Sequence, residues 1–399
     1  MNRNLWLVLT TALIFGLSTG IYEFVLPLLL RAQGFSFEKV GVIFALAGLA
    51  MVLARIYMGG LADRWGRKAL YGWALLVCGL ASGLAAQWPA LLGQVLLKML
   101  RETAALTRET LHPIIIYEEQ RASFLNYIGK FRGVEYLLQA GGTLLAGVII
   151  RQLSTPEDGY HCALLVAGSL LTAAAIMWAL RFHEEWERRP RQVIDLRTLF
   201  NFDLQPNLRL LLISGVIFTF GMQLSHSFYL PLFFHDRFGT PPWQVAIIMV
   251  AHRLTVALPL LLVGNLTLKH LRAWYVGSMI IEGLTMVGSA IIPVYSWSVG
   301  IFLLHDLIGS GIWAPIQAML LQRYSRDATR GIEVGKVLAW SSIGSILGPI
   351  AAGVLATASP VYPFLASGIF MGLSALPLCA LDTNAPAPQY ADQPADAVG

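Results

Sequence analysis

Charge is what this 399-residue sequence has least of. Only 13% of its residues are Asp, Glu, Lys or Arg, against 56% hydrophobic, whereas an ordinary soluble domain carries about 25% charged residues. With a mean hydropathy of +0.63, the chain is built for an apolar solvent, the bilayer. Cysteine is scarce as well: Cys78, Cys162 and Cys379 each fall in an apolar run, which argues against a disulfide framework or a thiolate metal site. No glycine-rich loop ends in Lys-Ser or Lys-Thr, so ATP-driven pumping is disfavoured. No hydrolytic constellation stands out, and neither enzyme activity nor a cofactor is expected. The net charge of +5 would suggest nucleic acid in a soluble protein. Here the basic residues sit in loops between apolar runs, and no nucleic-acid partner is expected.

Long apolar runs are what the sequence has in abundance. A span needs roughly 20 residues, and about twelve such runs occur, near 5–31, 38–58, 70–87, 90–116, 126–150, 161–181, 208–233, 243–267, 272–292, 297–320, 332–356 and 360–381. The first is too long for a removed signal peptide and lacks a small-residue cleavage site, so it is expected to stay as a helix. If the spans alternate, Arg64, Arg67 and Lys68, then Arg188, Arg189, Arg191 and Arg197, then Lys269, Arg272, Arg323, Arg326 and Arg330 share one side. Opposite loops carry mainly Arg31, Lys39, Arg151 and Arg237. The positive-inside rule then places both termini in the cytoplasm of a multi-pass protein.

The chain also repeats itself. Phe15-Gly16 with Leu26-Pro27 recurs as Phe220-Gly221 with Leu230-Pro231, Pro113 as Pro315, and Gly133 with Gly142 as Gly335 with Gly344. The repeat implies an N-terminal bundle of six helices (1–181), a charged linker (182–207), a second six-helix bundle (208–381) and a polar tail (382–399) with too few apolar residues to fold.

Between the second and third runs stands Gly59-Gly60-Leu61-Ala62-Asp63-Arg64-Trp65-Gly66-Arg67-Lys68. This segment resembles the loop that joins helices two and three in the major facilitator superfamily, and the match covers every defining position. The resemblance implies an all-α polytopic fold of about twelve spans, alternating access between two bundles, and a solute path near the midplane. It implies a gate role for Gly60, Asp63, Arg64, Gly66, Arg67 and Lys68, with Asp63 engaging the start of the eleventh helix near Gly331. The second-half counterpart, Gly264 to Arg272, lacks the acid. Gly335, Gly344, Gly348 and Pro349 resemble the family's antiporter-associated pattern, which belongs in the fifth helix. There the chain keeps Gly133, Gly142 and Gly147 without the proline, so close packing is the competing reading.

Ionisable residues inside the spans carry the most chemistry, since each costs at least about 2.5–3.5 kcal/mol at a helix centre. By their helical rise, Glu23, Lys98, Arg101 and Glu102 share an outer depth. Arg108, Glu109, His112, Arg132 and Glu135 form an inner layer, and His226, His252, Arg253, His305 and Asp306 fall near the outer one. Arg101, Arg108 and His112 lie at i, i+7 and i+11 on one helix face. Lys98 with Glu102 and Arg132 with Glu135 are spaced to pair within their helices. The resemblance implies that the first, fourth, seventh and tenth helices line the cavity and turn Glu23, Arg101, Arg108, His226 and Asp306 toward the path. Expected solute-binding residues are Arg101, Arg108, His112, Arg132, Glu135 and His226, the two arginines acting as forks for a carboxylate or phosphate. Glu23 is the first expectation for proton coupling, with pairing to Lys98 or Arg101 as its alternative, and His305 with Asp306 the second. A transition-metal site at His226, His252, His305 and Asp306 is the weaker reading, because no i, i+4 histidine pair occurs.

The expectation is a proton-coupled secondary transporter of a bacterial inner membrane, working as a monomer. It would move a small polar or amphiphilic organic solute, by export in exchange for protons. The alternatives are proton-symport uptake of an organic anion and a non-transporting receptor or assembly factor on the same fold.

Overall fold

The structure, a computed structural model, describes residues 3–119, 124–183, 203–262, 270–326 and 330–382. Among the described residues every regular element is a helix. In order they are α1 (Arg3–Ala32), α2 (Phe37–Trp65), α3 (Arg67–Ala85), α4 (Leu91–Glu119), α5 (Phe124–Gln152), α6 (Pro156–Arg181), α7 (Pro206–His226), α8 (Tyr229–Phe238), α9 (Pro242–Leu262) and α10 (Leu271–Ile291). There follow α11 (Tyr295–Leu304), a π-helical turn (His305–Ser310), α12 (Gly311–Tyr324), α13 (Arg330–Ser341), α14 (Gly344–Ala358), α15 (Tyr362–Leu373) and α16 (Ala375–Cys379). In hydrocarbon every backbone N–H and C=O must be satisfied within its own segment, which leaves the helix as the form available to apolar runs of this length. Among the described residues ten stretches are long and apolar enough to cross a membrane. Helix α4, although 29 residues long, is not among them, because Lys98, Arg101, Glu102, Arg108 and Glu109 lower its hydropathy.

Local sequence sets the helix ends. Ser36 caps α2, its Oγ accepting from the Lys39 N–H, and Thr155 caps α6 by accepting from the Asp158 N–H with Pro156 in the first turn, the arrangement that satisfies orphan donors. Gly66, with φ at +80°, supplies the left-handed break between α2 and α3. A residue with a Cβ is strained in that region, which accounts for a glycine at this point of the motif.

Packing gathers the chain into two compact units. The first comprises residues 1–194, 223–257 and 345–364, and the second 195–222, 258–344 and 365–399.

In the first unit, α1 packs on α5 and α6, and α3 on α4 and α6. Gly142 of α5 sits so close to the Leu17 carbonyl of α1 that a Cβ would overlap it. Thr143 donates to the Gly20 carbonyl (3.0 Å) and Ser18 to the Ala167 carbonyl (3.0 Å). The Trp178 ring lies between Tyr71 (4.2 Å) and Phe182 (4.0 Å), and its Nε1 donates to the Lys68 carbonyl (2.9 Å). Arg3 and Asn4, at the start of α1, hydrogen-bond the carbonyls of Arg181 and His183 at the end of α6 (3.1 and 3.0 Å).

The second unit repeats several of these devices. Gly344 meets the Phe220 backbone of α7 as Gly142 meets Leu17. Asn207, at the start of α7, donates to the Asp382 carbonyl (2.8 Å), and Tyr324 does the same (2.8 Å). Arg326 bridges Glu333 (2.8 Å) and Asp203 (3.2 Å).

Candidate functional site

Two charged clusters lie in the first unit. The inner one is sealed. Arg108 of α4 is 1% exposed and donates through one Nη to both carboxylate oxygens of Glu135 on α5 (2.8 and 3.0 Å). Its Nε donates to the Tyr71 hydroxyl (3.2 Å), and its guanidinium lies over the Phe15 ring (4.3 Å). The His112 Nδ1 is 3.4 Å from the Tyr71 hydroxyl and 3.4 Å from an Arg108 Nη. Arg108 and Glu135 each have fixed partners, as a buried ion pair requires.

The outer cluster opens on a cavity of about 340 Å³. Lys98 and Glu102, one helical turn apart on α4, pair at 2.6 Å. Arg101 donates to the same Glu102 oxygen (3.0 Å) and to Thr19 (3.2 Å), and stacks on the Tyr22 ring at 3.8 Å. Glu23 of α1 accepts from Arg253 of α9 (2.7 Å), and Arg253 also donates to the Gln139 side-chain oxygen. Glu23, Lys98, Glu102, His226, His252 and Arg253 all line the cavity, and Phe24, Phe44 and Phe228 give it apolar wall. The His226 and His252 rings stand 5.8 Å apart.

The expected site residues are therefore divided between two places. Glu23 and His226 lie on the cavity wall, whereas Arg101 is absent from that wall and Arg108, His112 and Glu135 belong to the sealed cluster. Glu135 takes Arg108 as its partner across two helices; the Arg132 side chain lies outside the described residues. Glu23 pairs with Arg253, neither of the two partners expected for it. In the second unit His305 is 0% exposed and its Nε2 is 3.3 Å from Asp306, within the π-helical turn. Gly60 lies in the helical backbone of α2, Gly66 in the break after it and Arg67 and Lys68 in the first turn of α3. The side chains of Asp63 and Arg64 and the neighbourhood of Gly331 lie outside the described residues.

The sequence reading missed Glu282. This acid of α10 is 2% exposed, accepts from the Trp313 indole (2.8 Å) and enters no ion pair among the described residues. Its signal was available, since it is the one acid in the apolar run 272–292 and a carboxylate there needs a partner. Arg253 was noticed for depth alone, because no local spacing ties it to Glu23, 230 residues away.

Ten stretches among the described residues with the length and composition of membrane spans, together with buried charged clusters and a walled cavity, are those of a multi-pass membrane protein. The Major Facilitator Superfamily profile matches residues 8–276 and 244–397, and the chain belongs to that superfamily. It is similar to the niacin transporter NiaP of Acinetobacter baylyi, 25% identical over 168 residues, which covers 41% of this chain and 36% of that protein. It therefore aligns with little more than a third of that relative's length. It is similar to multidrug resistance protein 2 of Bacillus subtilis, 22% identical over 372 residues and 89% of each chain. The crystal structure of the nucleoside transporter NupG matches with a TM-score of 0.73 at 17% identity, over 96% of this chain and 98% of that one. That likeness is one of fold.

Proposed function

We propose that the chain is a proton-coupled secondary active transporter that moves a small polar or amphiphilic organic solute by alternating access, with the cavity beside Glu23 as its solute site. The Glu23–Arg253 pair carries this reading. A carboxylate that is 48% exposed faces a guanidinium that is 17% exposed at 2.7 Å, so solvent and solute reach a charged pair at membrane depth, where such pairs are otherwise costly. A cavity of about 340 Å³ falls in the roughly 300–1,000 Å³ range of small-molecule sites. Glu23 is the proton-coupling group and His305 with Asp306 a second. The Gly60 to Lys68 segment gates the path from the side on which both termini lie, in a bacterial inner membrane, and one copy suffices. Residues 1–181 and 208–381 form the two moving bundles, with 182–207 joining them.

Export in exchange for protons is one direction, supported by the likeness to the Bacillus subtilis multidrug resistance protein along 89% of both chains. Uptake of an organic anion together with a proton is the other, favoured by Lys98 and Arg253 on the cavity wall. The test is proton movement across sealed proteoliposomes holding a pH-sensitive dye, as acidic, zwitterionic and cationic solutes are added outside. Alkalinisation of the outside medium means symport of that solute class, and acidification means exchange. A folded protein that answers to no solute overturns the transporter reading in favour of a receptor.

A further inference from the structure

We propose that the cavity takes a small monocarboxylate, whose carboxylate replaces Glu23 on the Arg253 guanidinium while Glu23 takes a proton from solution. The proposal rests on the reading of this cavity as the solute site. On the cavity wall Lys98 and Arg253 stand against Glu23 and Glu102, so the charges balance with His226 and His252 neutral. An anionic solute therefore enters without adding net charge when one of these carboxylates takes a proton.

The cations are not equally available. Lys98 is 6% exposed, pairs with Glu102 at 2.6 Å and lies over the Phe44 ring at 4.4 Å. Arg101 is 1% exposed and shares Glu102. Of these three, Arg253 has the partner most open to water, because Glu23 is 48% exposed and Glu102 17%. Moving Glu23 off Arg253 therefore leaves it in solvent instead of stranding it in apolar surroundings. The guanidinium keeps its bond to Gln139 and offers its fork to the incoming carboxylate. Phe24, Phe44 and Phe228 provide room for a compact apolar body.

Proton uptake follows from the exchange. With its counter-ion taken and a second carboxylate nearby, Glu23 is better held neutral. Lys98, Arg101 and Glu102 of α4 face the same region, with His226 and His252 on the wall, and none of these changes partner.

Purified full-length protein in detergent tests this by calorimetric titration in two buffers of different ionisation enthalpy. Benzoate and butyrate are the probes, each against its own amide. The acids bind and the amides do not, and binding takes up protons. Glu23→Gln binds the acids at least as tightly without proton uptake. Arg253→Gln weakens them about 10- to 100-fold, and Arg253→Lys, which keeps the charge without the fork, weakens them less and guards against misfolding. Equal binding of acids and amides overturns the proposal. So does silence of both acids with folded protein, or undiminished proton uptake by Glu23→Gln. Liposome transport of neutral or cationic solutes alone would leave the transporter reading standing while this proposal falls. Acid binding with proton uptake but no flux would do the reverse.

Discussion

The inner and outer clusters of the first unit use the same chemistry to different ends. In the inner one, Arg108 and Glu135 are 1% and 5% exposed, and Tyr71 and His112 close the remaining sides. In the outer one, Glu23 and Arg253 are 48% and 17% exposed and border the cavity. A buried pair is strongly destabilised by losing one partner, because the other is left as an uncompensated charge. A half-open pair gains little from its own attraction, because water can replace either partner. The first arrangement suits holding helices together, and the second suits exchanging partners.

The comparison breaks most visibly at Glu135. Glu135→Ala strands Arg108 and should cost about 3–5 kcal/mol, read as a fall in the melting temperature of detergent-purified protein. Replacing both members by methionine should recover much of that loss; a double variant no more stable than Glu135→Ala would assign the inner cluster something beyond packing. Next in size is Gly142→Ala, which forces α1 off α5 at Leu17 and should cost about 1–3 kcal/mol. Gly344→Ala, against Phe220 in the second unit, should cost a similar amount, and a tenth of it at either site would mean the close approach is not a shared device. Trp178→Phe removes the hydrogen bond to the Lys68 carbonyl while keeping an aromatic ring between Tyr71 and Phe182, at about 1 kcal/mol. Glu23→Gln should shift stability least, by about 1 kcal/mol or less, yet change the pH dependence of transport.

The fold was largely legible in the sequence. Runs of apolar residues set the spans, and Gly60 to Lys68 carried the family. Gly142 and Gly344 marked two equivalent helix contacts. The site was legible only by depth. Counting residues along one helix placed Glu23, Lys98 and Glu102 in one layer and Arg108 and Glu135 in another, and local spacing gave Lys98 with Glu102. It could not give Arg108 with Glu135 or Glu23 with Arg253, because pairing between helices depends on how each is rotated about its axis. Arg101 and Arg108 drew attention as arginines with no obvious partner, and their partners prove to be Glu102 next door and Glu135 on another helix. Glu282 has no basic residue at i±3 or i±4 to pair with it, so local spacing gave it no role.

The most direct test is the pH profile of solute-driven proton movement in liposomes carrying equal amounts of the unmodified chain and of Glu23→Gln. The account predicts a pH-dependent response that is flat in Glu23→Gln, with both proteins melting within a few degrees of each other. The same pH profile in both would contradict it, and would leave the outer cluster as structural as the inner one.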